Sequence, residues 1–390
     1  MKAKIIDKDP KIKELFLNRN LRESSKKSYL LRIGQYCTFT GKTPTELIDE
    51  AIEDEENRVR MMNRRIKKQL LDFRAHLEET NKSPNFTQNA MTVIRSFYSE
   101  FEIELPKSRS NRKKEEKLST TKDIPDKDDI KKVLKYANPK YKAMILLMMS
   151  SGMGSAEIRE LRFSDLLKSY EIPIKDPFDI DKTLHLLKEK RNTVGTWSIR
   201  RIKTRKPYVT FNSPESMNAI IDYLDFRIDN QHPIQSPDDW LFEALGHQVS
   251  SRGMLTAFIR LNDRVGFGFY DSHRFFHRHS LRKYFASTCQ NNEMDYLDAE
   301  RLIGHKVPEL AGIYIKPEIS RLKREYLKVL SYLSLEPVET VTLESDEVKQ
   351  LKNNYENRFK EKDEEMESMK KRMAEMEDIL QKTVDKQLDK

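Results

Sequence analysis

Four side chains in the C-terminal half of the sequence have the types and spacing for chemistry on a phosphate ester. His279 and Arg282 stand three residues apart in HSLRKYFAS, His305 follows the run LIG, and Tyr314 comes nine residues later. Arginine offers a planar fork of N–H donors to two phosphate oxygens, and histidine adds another donor. Such groups stabilise the charge that develops when a phenol, with a pKa of about 10, attacks phosphorus. The set therefore predicts attack of a tyrosine on a phosphodiester.

Two predicted helices would position these groups. Apolar residues at helical spacing predict a helix through HSLRKYFAS. Residues three apart on a helix share a side, so His279 and Arg282 can reach one anion. A second predicted helix ends at Gly304, which leaves His305 just beyond its last turn. We therefore expect the four groups to line one anion-sized cavity.

The order HSLR, then LIGHK, then the tyrosine of IYIKP resembles the signature of tyrosine site-specific recombinases, the phage integrase family. The resemblance implies that Tyr314 attacks DNA to form a covalent 3′-phosphotyrosine, while His279, Arg282 and His305 stabilise the phosphate. It implies double-stranded DNA with a specific core site as the partner, and a homo-oligomer, a tetramer, on two duplexes. One phosphoester replaces another, so no cofactor is expected. A mobile-element integrase, archaeal or viral, is the favoured subgroup.

One position departs from the family pattern. The family reads roughly Thr-Gly-x-Arg-x-x-Glu-Leu after an apolar helix, and here Ser151-Gly152-Met153 and the supporting Glu157 match in register. Gly154 stands where the family has its first catalytic arginine, so one phosphate-binding donor is missing. The candidates to replace it are Arg159, Arg200 and Arg201, of which we favour Arg201. The alternative is that none of them enters the site.

A β-hairpin is predicted between the two motifs. The runs WSIRRIK and PYVTF are rich in β-formers and are separated by Thr204-Arg205-Lys206. Lys203 lies at the start of this turn. In the family a hairpin lysine at this place protonates the departing 5′-oxygen of DNA. The resemblance gives that role to Lys203, with Lys206 as the alternative.

The fold expected from periodicity is mainly α-helical with a small β-hairpin. The expected domains are a helical DNA-clamping domain over 1–106, a basic linker over 107–123, a mixed α/β catalytic domain over 124–335 and a charged C-terminal helix over 336–390. The linker is expected to lie along phosphates.

Three local expectations concern single segments. The first domain should hold four helices. One ends at Gly41, the next starts at Thr43-Pro44-Thr45-Glu46, and a third carries a stripe of Val59, Met62, Ile66, Leu70, Phe73 and Leu77. Residues 166–196 should form an irregular insertion with a short strand, TLHLL. The tail repeats Met366, Met369, Met373, Met376 and Leu380, which predicts a coiled coil and a coiled-coil partner; a single charged helix is the alternative.

Composition favours a DNA partner. The 390 residues carry a net charge of +9, which favours an anionic partner. Basic residues expected to contact DNA, with simple solvation as the alternative, are Lys26, Lys27, Arg64, Arg65, Lys113, Lys114 and Lys206.

Composition also indicates a cytoplasmic protein. Cys37 and Cys289 are expected to be buried thiols in a reducing compartment. No apolar run approaches about 18 residues, so a soluble, cytoplasmic chain without membrane contact is expected. No metal site is expected either, because His273 and His277 lack accompanying cysteine or acidic ligands at zinc spacing.

Three functional hypotheses therefore remain from the sequence. The first is a DNA-cleaving recombinase, either a mobile-element integrase or an Xer-like resolvase or invertase. The second is a DNA-binding protein of the same fold that cleaves poorly because Gly154 replaces arginine. The third is a coiled-coil scaffold whose basic helices bind acidic partners.

Overall fold

The computed structural model describes residues 6–107, 123–270, 273–305, 307 and 319–336. The chain divides into two compact units, Met1–Lys117 and Leu118–Lys390. Helices dominate both, and the described strands form only two-stranded antiparallel pairs, which confirms the mainly helical fold with a small hairpin. Most of the predicted linker and the predicted coiled coil lie outside the described residues. Within the described part, no helix is long and apolar enough to cross a membrane.

The described part of the N-terminal unit folds as helices around one apolar core. The sequence predicted α2 to α5 but missed α1, which begins after Asp9, whose carboxylate accepts the Lys11 N–H at 2.9 Å. Gly41 ends α2 with φ +72°, and a capping box between Thr43 and Glu46 begins α3, as predicted. The helices are α1 (Pro10–Arg19), α2 (Glu23–Thr40), α3 (Pro44–Glu56), α4 (Arg65–Glu79) and α5 (Pro84–Glu100).

The predicted stripe on α4 is wrong in its first turns. The helix begins only at Arg65, and Met62 is 69% exposed, so Met62 and Val59 precede the helix and do not extend its buried face. The start is set from another helix, because the Asp54 carboxylate of α3 accepts the Arg65 N–H at 2.8 Å. The rest of the stripe is buried as predicted, at Ile66, Leu70, Phe73 and Leu77.

The C-terminal unit is built around α7 (Pro139–Ser151), which is buried on all sides from Ala143 onward and therefore lies inside its core. Cys289 of this unit is buried, as is Cys37 of the other, as predicted. The helices are α6 (Lys127–Tyr136), α7 (Pro139–Ser151), α8 (Ser155–Glu160), α9 (Phe163–Ser169), α10 (Ile180–Glu189), α11 (Pro214–Asp229), α12 (Ser251–Val265), α13 (Arg278–Asn291), α14 (Tyr296–Leu302) and α15 (Ile319–Leu333).

The predicted irregular insertion is wrong. Residues 166–196 contain the end of α9 and all of α10, and TLHLL is helical. The Asp179 carboxylate accepts the Lys182 N–H at 3.0 Å and caps α10. Thr183 and Leu187, four residues apart, are the buried positions, which is a helical and not a strand spacing.

The predicted hairpin is confirmed. Strands β1 (Thr196–Arg200) and β2 (Pro207–Phe211) pair antiparallel, with Arg200 opposite Pro207. The Arg201 N–H donates to the Lys206 carbonyl at 2.9 Å and closes the turn. The remaining described pairs are short: β3 (Glu243–Ala244) with β4 (His247–Gln248), and β5 (Phe269–Tyr270) with β6 (His273–Arg274).

Candidate active site

The first turn of α13 carries two of the predicted site residues. The helix begins after His277, whose N–H donates to the Ser280 hydroxyl at 3.2 Å. Leu281 points into the core and is fully buried. His279 and Arg282 therefore share a side of the first turn, as their spacing predicts.

Arg282 is a buried guanidinium held by main-chain carbonyls. It is only 7% exposed. Its Nη1 donates to the Gly152 carbonyl at 2.8 Å, and its Nη2 donates to the Ile303 carbonyl. Burial lowers its pKa, and the nearby Arg201 lowers it further. The side chain thus joins the loop after α7 to the turn after α14.

The two predicted site histidines lie near this guanidinium. Burial lowers the pKa of His279, and its basic neighbours Lys283, His277, Arg282 and His305 lower it further. The structure therefore brings His279, Arg282 and His305 together. Tyr314, the fourth member of the set, lies outside the described residues.

His305 is oriented by a carboxylate. Its Nδ1 lies 2.6 Å from Oε2 of Glu300, and its main-chain N–H donates to the Glu300 carbonyl at 2.9 Å. The side chain is 37% exposed. Since Nδ1 faces Glu300, Nε2 on the other side of the ring is left for a ligand.

Gly154 leaves a space that a carboxylate fills. A Cβ atom added at this glycine would meet Oε2 of Glu157 and would lie 3.9 Å from Nη1 of Arg282. Glu157 is itself buried, and its Oε1 accepts the Ile202 N–H at 3.2 Å. The place of the missing arginine is therefore next to Arg282 and is joined to the hairpin through Glu157.

The three candidate replacement arginines lie in different surroundings. Arg201 is half-buried, and its Nη1 donates to the Gly304 carbonyl at 3.0 Å. Arg159 donates to the Val249 carbonyl at 3.1 Å, and Arg200 is exposed on β1. Only Arg201 of the three binds the turn that also holds Arg282.

Lys203 and Lys206 are exposed residues of the β1–β2 turn. The Arg201 carbonyl accepts the Arg205 N–H at 2.7 Å, which stabilises the turn that carries both lysines. Neither ammonium forms a hydrogen bond or ion pair with the residues that the structure describes. Both are therefore available to an anionic ligand.

A cavity of about 370 Å³ opens beside this cluster, and the sequence reasoning missed one of its members. Gly154, His279 and Arg282 line it together with Arg278, which donates to the Ser251 hydroxyl at 3.2 Å. Arg278 stands four residues before Arg282 on one helix, and this spacing could have pointed to it.

The histidines of this cavity do not form a metal cluster. The rings of His273 and His277 lie 4.8 Å apart between centroids. In the described ranges, no three His, Cys, Asp or Glu side chains are placed to hold a metal ion.

The basic residues predicted to contact DNA in the N-terminal unit fall into two groups. Arg64 and Arg65 are engaged by acids, with Glu55 at 2.8 Å from Arg64 and Asp54 at 2.7 Å from Arg65. A phosphate would compete with these carboxylates. Lys27 is exposed, and its ammonium has no described partner. Lys26 pairs with Glu23 at 3.0 Å, and Lys113 and Lys114 lie outside the described residues.

Comparison with known proteins places this cluster in a family. The phage integrase family model matches residues 125–321, just over half of the chain. A search of curated proteins finds no match.

Among solved structures, the chain is similar to XerH site-specific recombinase bound to difH substrate, with 15% identity, 83% of each chain covered and a TM-score of 0.48. It is also similar to the Tn1549 transposon integrase bound to transposon right end DNA, with 13% identity, coverage of 84% and 95%, and a TM-score of 0.46. A lambda integrase dimer bound to a COC′ core site has 14% identity, coverage of 78% and 96%, and a TM-score of 0.44.

Proposed function

The chain belongs to the phage integrase family, and we propose that it breaks and rejoins DNA strands through a covalent bond between Tyr314 and a 3′-phosphate. One observation carries the proposal. Arg282 is fixed between two carbonyls beside His279 and His305, so a guanidinium and two imidazoles from two segments of the chain lie near one another. Such a set suits a phosphate whose charge grows in the transition state.

In the proposed first step, the Tyr314 hydroxyl loses its proton to the surrounding water as its oxygen attacks the scissile phosphorus. A phosphotyrosine bond forms to the 3′-phosphate as the bond to the 5′-oxygen breaks. Arg282 binds non-bridging oxygens with the N–H groups that its two carbonyl bonds leave free. His279 and His305 donate to the same phosphate, the latter through Nε2, since its Nδ1 faces Glu300.

The departing 5′-oxygen takes a proton from the Lys203 ammonium, which is exposed at the hairpin turn; Lys206 is the alternative. In the second step, this hydroxyl, or the one from a partner duplex, attacks the phosphotyrosine and returns its proton to the Lys203 amine. Tyr314 is released and takes up a proton from water. One phosphodiester is exchanged for another, so the bond energy is retained in the covalent intermediate.

The proposed substrate is a DNA duplex with a specific core site, bound by a homo-oligomer that is a tetramer in synapsis. The N-terminal unit is proposed as the DNA clamp, with Lys27 among its contacts because its ammonium is exposed and unpaired within the described residues. A role for 336–390 in assembly remains a prediction from the tail's methionine repeat.

A second candidate function is a DNA-binding protein that cleaves poorly. The observation in its favour is that Gly154 lacks the family arginine and that the Glu157 carboxylate fills the space beside Arg282. A carboxylate there would oppose a phosphate unless another cation compensates.

Covalent capture distinguishes the two functions. Sheared genomic DNA from the host would be incubated with the full chain and with Tyr314→Phe, denatured in detergent, and the DNA fragments bound covalently to protein would be sequenced. The site found would then be built into a duplex nicked near the cut, so that rejoining fails and the adduct accumulates. We expect a 3′-linked adduct at residue 314 with the full chain and none with the variant.

Two outcomes would contradict the proposed role of Tyr314. Specific DNA binding without any covalent adduct from the full chain would exclude strand cleavage and favour the second function. An adduct that persists in Tyr314→Phe would move the nucleophile to another residue.

A further inference from the structure

A single turn gathers two guanidiniums beside His305. Arg282 donates to the Ile303 carbonyl, and Arg201 donates to the next one, that of Gly304, at 3.0 Å. Arg282 comes from α13, whereas Arg201 comes from the β1–β2 hairpin. Because the acceptors are consecutive carbonyls of one turn, the two guanidiniums are neighbours, and the charge of Arg201 accordingly helps to lower the pKa of Arg282.

The turn is rigidly seated against the hairpin. Gly304 has φ +68°, and a Cβ there would lie 2.7 Å from the Tyr208 ring of β2. Close approach of the turn to β2 therefore requires glycine at this position. The same approach brings the Gly304 carbonyl within reach of Arg201, which directly follows the end of β1.

Neither guanidinium is neutralised by an ion pair among the described residues. Each is anchored by neutral carbonyls through only some of its N–H groups, so each retains donors and its full charge. Two fixed cations side by side repel each other, and the Glu157 carboxylate beside Arg282 offsets less than Arg201 adds, so an anion between the two guanidiniums lowers the remaining cost.

The other arginines considered for the missing position are not bound to the turn before His305. Arg159 binds the Val249 carbonyl, and Arg162 binds the Asp238 carbonyl while its guanidinium lies 3.2 Å from the centre of the Trp240 ring. Arg200 is exposed on β1. Arg278 lines the cavity but is bound to Ser251 of α12 and not to the turn before His305.

We propose that Arg201 replaces the guanidinium missing at Gly154 and binds the scissile phosphate together with Arg282. The proposal rests on the strand-cleavage function above and assigns it a further catalytic residue. Glu157 is a positioning residue in this arrangement: its Oε1 binds the Ile202 N–H at 3.2 Å, and its Oε2 borders the space at Gly154. The carboxylate thereby fixes the hairpin residue that follows Arg201.

The test is the single-turnover rate of adduct formation on the nicked duplex defined by covalent capture. Arg201→Ala should slow it by about a hundredfold or more, as loss of one transition-state donor does. Arg201→Lys, which keeps the charge without the fork, should fall between this variant and the parent. Arg200→Ala, which removes the same charge from the exposed face of the strand, is the matched control and should stay near the parent rate.

A chemically modified substrate separates phosphate binding from a structural role. A methylphosphonate at the scissile position replaces one charged oxygen with a methyl group. If Arg201 neutralises that oxygen, the deficit of Arg201→Ala should shrink strongly on this substrate. A variant that had merely lost its hairpin geometry would remain slow on both substrates. Circular dichroism and thermal unfolding of Arg201→Ala and Arg201→Lys would establish that the variants fold.

The outcomes separate this inference from the function on which it rests. No adduct from the parent chain would refute strand cleavage itself. An adduct from the parent with an unchanged rate in Arg201→Ala, or with a deficit that methylphosphonate leaves intact, would refute the role of Arg201 alone. A deficit relieved by methylphosphonate in Arg278→Ala and not in Arg201→Ala would transfer the role to Arg278.

Discussion

Arg64 and Arg65 of the N-terminal unit lie among carboxylates, whereas Arg201 and Arg282 of the candidate site are held by main-chain carbonyls. Arg65 at the start of α4 contacts Asp54 and Glu53, both at 2.7 Å. Arg201 and Arg282 instead donate to the carbonyls of the turn before His305. An ion pair holds a side chain but cancels its charge, whereas a carbonyl holds it and leaves the charge in place. The first arrangement suits a structural contact between two helices, and the second suits an anion-binding site.

This contrast predicts opposite consequences for mutations in the two units. Removing an arginine of the candidate site should impair chemistry more than folding. Breaking the ion pair between Asp54 and Arg65 should destabilise the N-terminal unit and leave the chemistry of the C-terminal unit intact.

The largest effect is expected at Arg282. Arg282→Ala should lower the rate of adduct formation by about a hundred- to a thousandfold, because the transition state loses its buried guanidinium. Arg282→Lys keeps one charge but cannot bridge the Gly152 and Ile303 carbonyls, so it should rescue only part of the rate. The measurement is single-turnover cleavage of the nicked duplex. Near-normal cleavage by Arg282→Ala would show that the carbonyl-held guanidinium is not needed for strand cleavage.

The next effect is expected at Asp54. This carboxylate is 5% exposed and receives both the main-chain N–H and Nε of Arg65. Asp54→Ala should lower the free energy of unfolding of the N-terminal unit by about 2 kcal/mol, since a helix start and a partly buried ion pair are lost together. Urea denaturation measures it, with Asp49→Ala, an exposed acid of the same helix, as control. Equal losses of unfolding free energy in Asp54→Ala and Asp49→Ala would argue against a stabilising role for the Asp54–Arg65 ion pair.

A smaller effect is expected from pH. Burial lowers the pKa of His277 and His279 below the unfolded value of about 6.5, so the unfolded chain binds more protons in the window below that value. The stability of the C-terminal unit should therefore fall as the pH decreases from about 7.5 to about 5.5. His277→Asn, which puts a non-titrating residue favoured at helix starts in this position, should flatten the pH dependence of Tm.

The Asp54–Arg65 ion pair of the N-terminal unit should respond to pH in a lower range. Burial alone would raise the pKa of Asp54, but hydrogen bonds from Arg65 outweigh it and lower the pKa. Its contribution is present above the unfolded value and should be lost only below about pH 4. Loss of the Asp54 contribution near neutral pH, seen by comparing the parent with Asp54→Ala, would contradict this assignment.

The smallest effect is expected on DNA binding. Lys27→Ala should reduce the slope of log K against log salt by about 1, because an unpaired ammonium that contacts a phosphate releases a counterion. Arg65→Ala should change the slope less, since its charge is already balanced by acids. A larger change for Arg65 than for Lys27 would show that the ion pairs open when DNA binds.

Much of the local structure followed from residue types close in sequence. Thr43, Pro44 and Glu46 start α3, Gly41 ends α2, and the turn after Lys203 closes the hairpin, all as predicted. Such features depend on hydrogen bonds across a few residues, which the residue types themselves specify. The spacing of His279 and Arg282 likewise sufficed to predict that these two residues line one cavity, whereas His305 is not among the residues that line it.

Other features depended on contacts between distant parts of the chain. TLHLL has strand-like residues but is helical, because Asp179 caps it and Leu187 packs into the core. The start of α4 is set by Asp54 from another helix.

The sequence by itself determined the order and spacing of the cationic groups, because helical periodicity places residues three apart on one side. Which arginine lies beside Arg282 was decided only by the tertiary structure. Arg159, Arg200 and Arg201 are chemically alike, and only Arg201 meets the carbonyl of Gly304, 103 residues away in sequence. The packing of β2 against the glycine turn creates that contact, and no local pattern encodes it.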